Sequence, residues 1–451
     1  MKIVVIGCGT IGKTIISHVS KEGHDVVIID DNKSKVEELI ERFDVLGVVG
    51  NGASLDIQQE AKVKNADMVV AVTSKDEVNI LACMVAKKIG AESTIARVRN
   101  PEYLQQAMMM KEEMGLSMIV NPEQETADEI TNMLSLPSLL KVEHFAKGRV
   151  MLIELLADEN SPLVGETLIS LAKKLNTKFL ICAVERGDEV IIPTGNFKIE
   201  KGDRINVTTD SESIVELLKE LKLIRTPLKN IMIIGGGKIS YYLAKELISK
   251  KYKVRIIESK KERADELAEL LPRATIIYGD GTNHELLMEE GIEKMDACVT
   301  LTSIDEENII VSMYAKKLNI QKVIAKIKRN NFQGMLNDLG IVNFVTPQDI
   351  VASKIISYIR ALANKKGSNV LTLYKLVNNQ IEALEFVAKK KEKFYNQPLK
   401  NLHIRENSLI ACIIRDELVI IPNGNDCIML NDRVLVVTTH QNFDDLADAF
   451  E

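Results

Sequence analysis

Short apolar runs separated by helical stretches fill the first third of the chain. Each run spans five or six residues and leads into a polar or glycine-containing turn, as buried parallel strands do. The predicted strands cover residues 2–6, 25–30, 45–49, 68–72 and 94–98. A helical stretch, 13–21, follows the first strand. This alternation predicts an α/β domain with a doubly wound parallel sheet of the Rossmann type.

The same pattern returns in the second half of the chain. Gly7-x-Gly9-x-x-Gly12 is matched 228 positions later by Gly235-x-Gly237-x-x-Ser240. Further matched pairs, offset by 228 or 229, are Asp30 and Glu258, Gly50 and Gly279, Thr73 and Thr302, Asp76 and Asp305, and Arg97 and Lys326. Six landmarks in one order at nearly constant spacing indicate a duplicated domain.

A shorter, strand-rich stretch follows each Rossmann-like pattern. The first contains a strand at 150–156, a helix at 168–175 and two strands about a turn at Arg186-Gly187-Asp188. The second repeats these features near 410–415 and 418–422. The predicted domains are a Rossmann domain at 1–123, a small α+β module at 141–224, a second Rossmann domain at 229–348 and a second small module at 368–451.

Composition and charge narrow the class of protein. At 451 residues the chain is too long for one core, and 46% hydrophobic with 27% charged residues is typical of a soluble globular protein. A net charge of −6 disfavours nucleic acid as a partner, since the phosphate backbone attracts basic surfaces. No apolar run approaches the ~18–20 residues that span a bilayer, and residues 1–6 resemble a strand rather than a signal peptide.

Cysteine and histidine spacing gives no sign of disulfides or metal. The six cysteines are scattered and form no Cys-x-x-Cys pair, which predicts reduced cytoplasmic thiols packed as small hydrophobic residues. The six histidines form no spaced pair of ligands, so no metal site is expected.

The first glycine motif has the sequence context of a nucleotide site. A strand leads into Gly7-x-Gly9-x-x-Gly12, a helix follows, and a second strand ends in Asp30, 18 positions after Gly12. The glycines allow a tight turn, close approach of backbone to pyrophosphate, and close packing of helix on strand, while the helix N-terminus attracts phosphate. Asp30 can accept both ribose hydroxyls, which favours NAD(H) or an adenine nucleotide over NADP. The alternative is a Rossmann domain that keeps its glycines for the turn alone.

Other candidates follow the ends of the later strands. Because parallel strands point their carboxyl ends at one crevice, Asn51, Thr73, Ser74 and Arg99 converge on the same place. Asn51 could read the adenine edge or simply form a turn, and Arg99 could meet a terminal phosphate or be an ordinary solvated arginine. Asp76, Glu77 and Asn79 are interpreted as the capped start of a helix running through Lys88.

The second glycine motif departs from the first. Gly235 and Gly237 are kept, but Ser240 stands where the third glycine is expected, and Lys238 adds a cation beside the phosphate position. Glu258 and Asp280 replace Asp30 and Asn51. These changes leave two interpretations open: a second nucleotide site, or a structural partner for the first domain.

Neither small module contains a pair of residues suited to catalysis. A dehydrogenase needs a general acid or base facing the nicotinamide, and no such residue is evident. A ligand-sensing regulator is therefore favoured over the alternative, an NAD-dependent oxidoreductase.

The hairpin motif of the first small module comprises Arg186-Gly187-Asp188, Pro193 and Gly202-Asp203, and it is echoed at Asp416, Pro422 and Asp432. In this motif and in its tandem order, the whole chain resembles the RCK (KTN) regulators of potassium transport. The resemblance implies a cytoplasmic protein, peripheral on the inner membrane face, that forms a ring, expected to be a tetramer, on an integral-membrane potassium-translocating subunit. It also implies NAD(H) or ADP/ATP in the Rossmann crevices. The nucleotide residues implied by motif position are Gly7, Cys8, Gly9, Thr10, Ile11, Gly12, Asp30, Asn51, Thr73, Ser74 and Arg99. The helical stretches 123–134 and 350–363 are expected to transmit ligand-driven movement. The second stretch carries an apolar stripe, which predicts either contact with a partner or burial within its own domain.

Overall fold

The structure is a computed structural model of residues 1–451. It describes all of them except 136–138, 140, 159–160, 188, 224–226, 330–335, 337–338, 340, 342, 366–369, 377–380, 390–391, 441–442 and 444. The chain forms two compact units. One comprises Met1–Leu134 with Leu228–Ile356, and the other Ser135–Pro227 with Ser357–Glu451.

A six-stranded parallel sheet with helices between its strands forms the first Rossmann domain. The elements are β1 (Lys2–Ile6), α1 (Thr10–Lys21), β2 (Asp25–Asp30), α2 (Lys33–Arg42), β3 (Leu46–Val49), α3 (Leu55–Glu60), β4 (Met68–Ala71), α4 (Asp76–Ile89), β5 (Ser93–Arg97), α5 (Pro101–Met109), β6 (Met118–Val120) and α6 (Pro122–Ser135). The strand order is β3-β2-β1-β4-β5-β6. Val4, Val5, Ile28 and Ile29 are fully buried, because helices cover both faces of a parallel sheet. The five predicted strands are present, and the three-residue β6 was not predicted.

The second Rossmann domain repeats this topology. Its elements are β12 (Asn230–Ile234), α9 (Lys238–Ser249), β13 (Lys253–Glu258), α10 (Lys261–Leu270), β14 (Thr275–Tyr278), α11 (His284–Glu289), β15 (Ala297–Thr300), α12 (Asp305–Lys317), β16 (Lys322–Lys326), β17 (Phe344–Val345) and α13 (Pro347–Lys365). The order β14-β13-β12-β15-β16-β17, all parallel, is that of the first sheet. The predicted fold class, two Rossmann-like parallel sheets with small α+β modules, is confirmed.

Helix α6 joins the two Rossmann domains. Its apolar residues Ala127 and Ile130 are fully buried in one core cluster with β12 and α9 of the second domain. Nearby, Asn121 Nδ2 donates to the Tyr242 hydroxyl across 3.2 Å. Lys354 on α13 forms an ion pair with Glu125 on α6. A helix that follows the first sheet therefore completes the core of the second.

The apolar stripe of α13 is buried by this same chain. Ile355, Ile356 and Ile359 are at most 5% exposed, and Leu362, the fourth residue of the stripe, is half-buried. Of the two interpretations of this stripe, burial within the protein itself accounts for the pattern, and no separate partner is needed to cover it.

Two five-stranded antiparallel sheets make up the other unit. Their elements are β7 (Lys141–Phe145), β8 (Val150–Leu156), α7 (Leu168–Lys174), β9 (Leu180–Arg186), β10 (Glu189–Ile191), β11 (Arg204–Asp210), α8 (Ile214–Glu220), β18 (Val370–Leu376), β19 (Ile381–Val387), β20 (Ser408–Arg415), β21 (Leu418–Ile420) and β22 (Arg433–Thr438). The orders β10-β9-β11-β8-β7 and β18-β19-β22-β20-β21 are one topology read from opposite edges. Phe145, Ala183, Ala383 and Ala411 lie in one core shared by the two sheets.

The hairpin motif of the small modules has a structural role. Arg186 Nε and an Nη of the same guanidinium each donate to Asp203 across 2.8 Å, and Asp203 is fully buried. Arg415 and Asp432 form the same two-bond pair in the second module. Such bidentate pairs fix a planar geometry, so the motif ties a hairpin to the next strand. Asp188, in the predicted turn, lies outside the described residues.

The cysteines, all six of which are described, are free thiols, and five of them are buried. Burial raises the pKa of the Cys83 and Cys298 thiols to about 12, as expected of structural rather than reactive cysteines. Within the described ranges, no helix has the length and apolar character needed to cross a membrane. Nor does any group of acidic, histidine or cysteine side chains there form a metal-ligand cluster.

Candidate nucleotide sites

The first glycine turn is built from three glycines with three different surroundings. Gly7 has φ +104°, and a Cβ there would lie 2.8 Å from Thr73 N. A Cβ on Gly12 would lie 1.9 Å from Gly7 O, so α1 packs directly on the turn. A Cβ on Gly9 would meet no atom within 4 Å. Gly7 therefore forms the tight turn, Gly12 allows the close helix packing, and Gly9 leaves an open approach for a ligand, as the motif predicts.

Asp30, at the end of β2, holds this turn in place. Its Oδ2 accepts from Cys8 N across 2.6 Å, and its Oδ1 accepts from Asn32 N across 2.9 Å. Burial raises the pKa of the Cys8 thiol to about 12, and the Asp30 charge acts in the same direction. The carboxylate thus has a structural role in the turn beside any contact it makes to ribose.

The polar residues after β4 also hold strand ends together. Asn79 Oδ1 accepts from Thr73 N and Thr73 Oγ1, and its Nδ2 donates to Arg97 O across 2.9 Å. Asp76 Oδ2 accepts from the backbone N–H of Arg99 and of Asn100. The prediction that these residues cap the start of α4 is wrong. They bind neighbouring loops, and α4 begins without a side-chain cap.

The second turn repeats these contacts with different residues. Gly235 has φ +95°, Glu258 Oε2 accepts from Gly236 N across 2.6 Å, and Glu258 Oε1 accepts from Lys260 N across 2.7 Å. The Ser240 hydroxyl, fully buried, donates to Gly235 O. The second turn thus accommodates the serine through a hydrogen bond to the carbonyl of Gly235. In the first turn, the equivalent carbonyl of Gly7 lies too close to Gly12 to leave room for a side chain.

Asn51 and Asp280 both form local turns. Asn51 Oδ1 accepts from Ala53 N across 3.0 Å. Asp280 Oδ1 accepts from the Thr282 backbone N–H and hydroxyl, and these hydrogen bonds, the backbone one foremost, lower the pKa of the Asp280 carboxyl. Asp280 also faces the cavity described next.

A cavity of about 1180 Å³ lies between the two Rossmann domains. Ten of the residues predicted to bind nucleotide line it: Gly9, Thr10, Ile11, Ser74, Arg99, Gly235, Gly237, Lys238, Glu258 and Asp280. The other six do not line it: Gly7, Cys8, Gly12, Asp30, Asn51 and Thr73. The start of α1 in the first site therefore opens into the same space as the second site, whereas Asp30 and Asn51 are not part of its lining.

Basic side chains dominate the part of the cavity near the ends of β5 and β16. Arg97 donates to Thr73 O across 2.8 Å, and Lys328 Nζ donates to Ser303 O across 2.6 Å. Arg99 pairs with Glu123 at 2.6 Å, and Glu123, only 6% exposed, lies in the first turn of α6. Glu123 Oε2 is buried and has no hydrogen-bond partner among the described residues.

Sequence reasoning missed several residues of this cavity wall: Arg97, Glu123, Arg263, Lys326 and Lys328. The basic-x-basic pattern 97–99, repeated at 326–328, carried a signal, because it recurs at the same strand end in both halves. Glu123 and Arg263 carried none, since each reaches the cavity only through the packing of its helix.

Two family models cover most of the chain. The TrkA-N domain matches residues 3–122 and 231–347, and the TrkA-C domain matches residues 152–222 and 383–451. The chain is 35% identical over 445 residues to Trk system potassium uptake protein TrkA homolog 1 of Methanosarcina mazei, covering 97% of each chain.

Two solved structures are similar in fold. The GsuK channel bound to NAD has a TM-score of 0.63 at 17% identity, covering 98% of this chain and 77% of that one. GsuK bound to ADP has a TM-score of 0.51 at 15% identity, covering 81% and 70%. The family models and the full-length relative show that the chain belongs to the TrkA family of Trk system potassium uptake proteins.

Proposed function

We propose that this protein is a nucleotide-binding regulatory subunit that gates an integral-membrane potassium-translocating partner of the Trk type. The observation that supports the proposal most is that two glycine turns, each held by an acid, open into one cavity between two Rossmann domains. The family relative is named for potassium uptake. A regulator of potassium uptake is the function that the family and the site support together.

The ligand in this proposal is NAD(H) or ADP/ATP. Backbone N–H groups at the starts of α1 and α9 would bind the phosphates, since helix N-termini attract anions. Asp30 and Glu258 would accept from the ribose. The cavity of about 1180 Å³ is slightly larger than the typical ligand pocket of about 300–1,000 Å³, which leaves room for a dinucleotide. The similar channel structures are described with NAD and with ADP, which supports both ligand classes for this fold.

The pair formed by Arg99 and Glu123 suggests how binding could move the domains. A terminal phosphate entering the cavity would compete with Glu123 for the Arg99 guanidinium. Glu123 is in the first turn of α6, and α6 packs into the core of the second domain. Exchange of partners at Arg99 would therefore change the angle between the two Rossmann domains, and the small modules would transmit the change to the membrane partner.

The proposed assembly is a ring of identical chains, expected to be a tetramer, on the cytoplasmic face of the membrane. In this arrangement the segments 1–123 and 229–348 sense ligand, while 141–224 and 368–451 transmit the change. The duplication supports it, because one chain supplies two equivalent Rossmann domains.

Potassium flux in vesicles containing the translocating subunit tests the proposal. Adding this protein should make flux respond to NAD, NADH, ADP or ATP by several-fold to a hundredfold, as coupling energies are typically ~1–3 kcal/mol. Glu123→Gln keeps the side-chain size but removes the negative charge that pairs with Arg99, so the flux response to nucleotide should shrink. Glu102→Gln, an exposed acid on α5 that does not line the cavity, is the control and should leave the response intact.

Calorimetric titration with the four nucleotides gives the affinity and the number of sites per chain. Flux that ignores both the nucleotides and the presence of the protein would contradict the gating proposal. Sustained turnover of NADH with a carbonyl substrate would instead identify an oxidoreductase.

A further inference from the structure

Lys326 places a buried amine in the wall of the shared cavity. It is the last residue of β16, its side chain is 8% exposed, and its Nζ donates to Leu301 O across 3.1 Å. An ammonium has three donors. Among the described residues it forms no ion pair, so donors remain for a ligand in the cavity.

The charged groups around Lys326 do not neutralise it directly. Lys328, on the same chain segment, repels it, while Asp305 on α12 and Glu123 on α6 attract it. Asp305 Oδ2 accepts from the backbone N–H groups after β16, and Glu123 Oε1 accepts from Arg99. The other carboxylate oxygen of each acid is buried without a hydrogen-bond partner among the described residues. Arg97 and Lys238 add further positive charge to the cavity wall. Burial, followed by the repulsion from Lys328, lowers the pKa of Lys326 to about 8.

The first domain provides an internal reference. Arg97 stands at the corresponding end of β5, where its guanidinium donates to Thr73 O. Arginine stays charged at any ordinary pH, whereas a buried lysine titrates readily. One copy of the domain therefore has a fixed charge at this position and the other has a charge that depends on proton binding.

Building on the proposed function, we propose that Lys326 binds a phosphate group of the ligand in the cavity and takes up a proton from solvent as it does so. The phosphate stabilises the ammonium form, so the amine that was partly neutral becomes protonated in the complex. Asp305 and Glu123 attract Lys326 without forming an ion pair with it, and the phosphate supplies that direct pairing.

The direction of the pH dependence follows from the two states. Without ligand the pKa of the Lys326 amine is depressed, and in the proposed complex the phosphate raises the pKa of this amine. Binding is therefore strongest below the ligand-free pKa and weakens as pH rises through it. With a ligand-free pKa near 8, affinity at this position should be about tenfold weaker at pH 9 than at pH 7.

Titration calorimetry of the full chain with ATP at pH 8, in buffers of different ionisation enthalpy, measures the protons taken up. Wild-type protein should take up about half a proton more per bound ATP than Lys326→Arg, which keeps the charge but does not titrate. Arg97→Lys should add proton uptake to the first domain. Equal uptake by wild type and Lys326→Arg would overturn the proposal.

Trace acylation of Lys326 in the wild-type protein, read by peptide mass spectrometry, gives a second measurement that needs no variant. Its reactivity should be half-maximal near pH 8 without ligand and should shift upward by at least one pH unit with ATP. No shift would overturn the proposal while leaving nucleotide binding intact. Absence of binding heat with any of the four nucleotides would overturn the proposed function as well.

Discussion

In the first Rossmann domain, the residue after the first glycine is Cys8 and the acid bound to its backbone N–H is the short Asp30. In the second, the same two positions are Gly236 and the longer Glu258. The hydrogen bond is 2.6 Å in both. A longer acid is thus matched by a smaller residue in the turn, and what the two copies share is the geometry rather than the residues.

The third position of the motif differs in the opposite direction. Gly12 is replaced in the second copy by the larger Ser240, whose hydroxyl donates to Gly235 O. The equivalent contact in the first domain has no space for a side chain. Loss of a motif glycine in the second copy is therefore a local rearrangement of the turn, and the serine is compatible with an intact crevice.

The largest expected effect comes from giving the first domain the residue of the second. Gly12→Ser places a Cβ 1.9 Å from Gly7 O, where a backbone atom must move, so it should destabilise the protein by about 3 kcal/mol. The reverse change, Ser240→Gly, removes one hydrogen bond and adds a glycine to a helix, which should cost ~1–2 kcal/mol. Urea unfolding followed by circular dichroism compares the two. Equal losses would mean that the two turns have the same packing tolerance.

The next effect concerns ligand binding by the two acids. Asp30→Ala should weaken nucleotide binding by ~1.5–3 kcal/mol, the range for hydrogen bonds to a charged group. This corresponds to roughly tenfold or more in affinity. Glu258→Ala should matter less, because Glu258 is only 8% exposed and Ser240 replaces the third glycine of its turn.

Calorimetry that resolves sites per chain measures both acid variants. Asp30→Asn is the control for the turn itself, since its amide oxygen can still accept from Cys8 N. If Asp30→Ala and Glu258→Ala cost the same affinity, the two sites work alike and the ranking is wrong.

Sequence predicted the features that depend on near neighbours along the chain. The strand, glycine turn, helix and acid of the first domain follow from local spacing, and Asp30 does lie against the turn. The repeat then extended the prediction to Glu258. The three-residue β6 was missed because it is too short to show an alternating or apolar pattern.

Features that depend on packing between domains could not be predicted. The shared cavity exists because α6 crosses into the core of the second domain, and nothing in the sequence of α6 states which sheet covers its apolar face. The same packing brings Glu123 to Arg99 and exposes Lys326 to the cavity rather than to solvent. Asn51 could not be assigned from sequence for a different reason. A polar residue at a strand end is equally consistent with a ligand contact and with a local turn, and the structure shows the turn.

The smallest expected effect comes from a variant that changes the size of the residue next to the acid in the second turn. Gly236→Cys copies Cys8 into the second turn, where its Cβ would lie 2.8 Å from Glu258 Oε2 and 2.6 Å from the Leu267 side chain. These are ends of side chains that can yield, so the expected loss is ~1–2 kcal/mol, the lower part of the overpacking range. Adding Glu258→Asp should recover most of that loss, because the shorter acid restores the pairing found at Cys8 and Asp30. Unfolding free energies of the wild type, both single variants and the double variant complete the cycle. A double variant whose loss equals the sum of the single losses would show that the sizes of the two residues are independent.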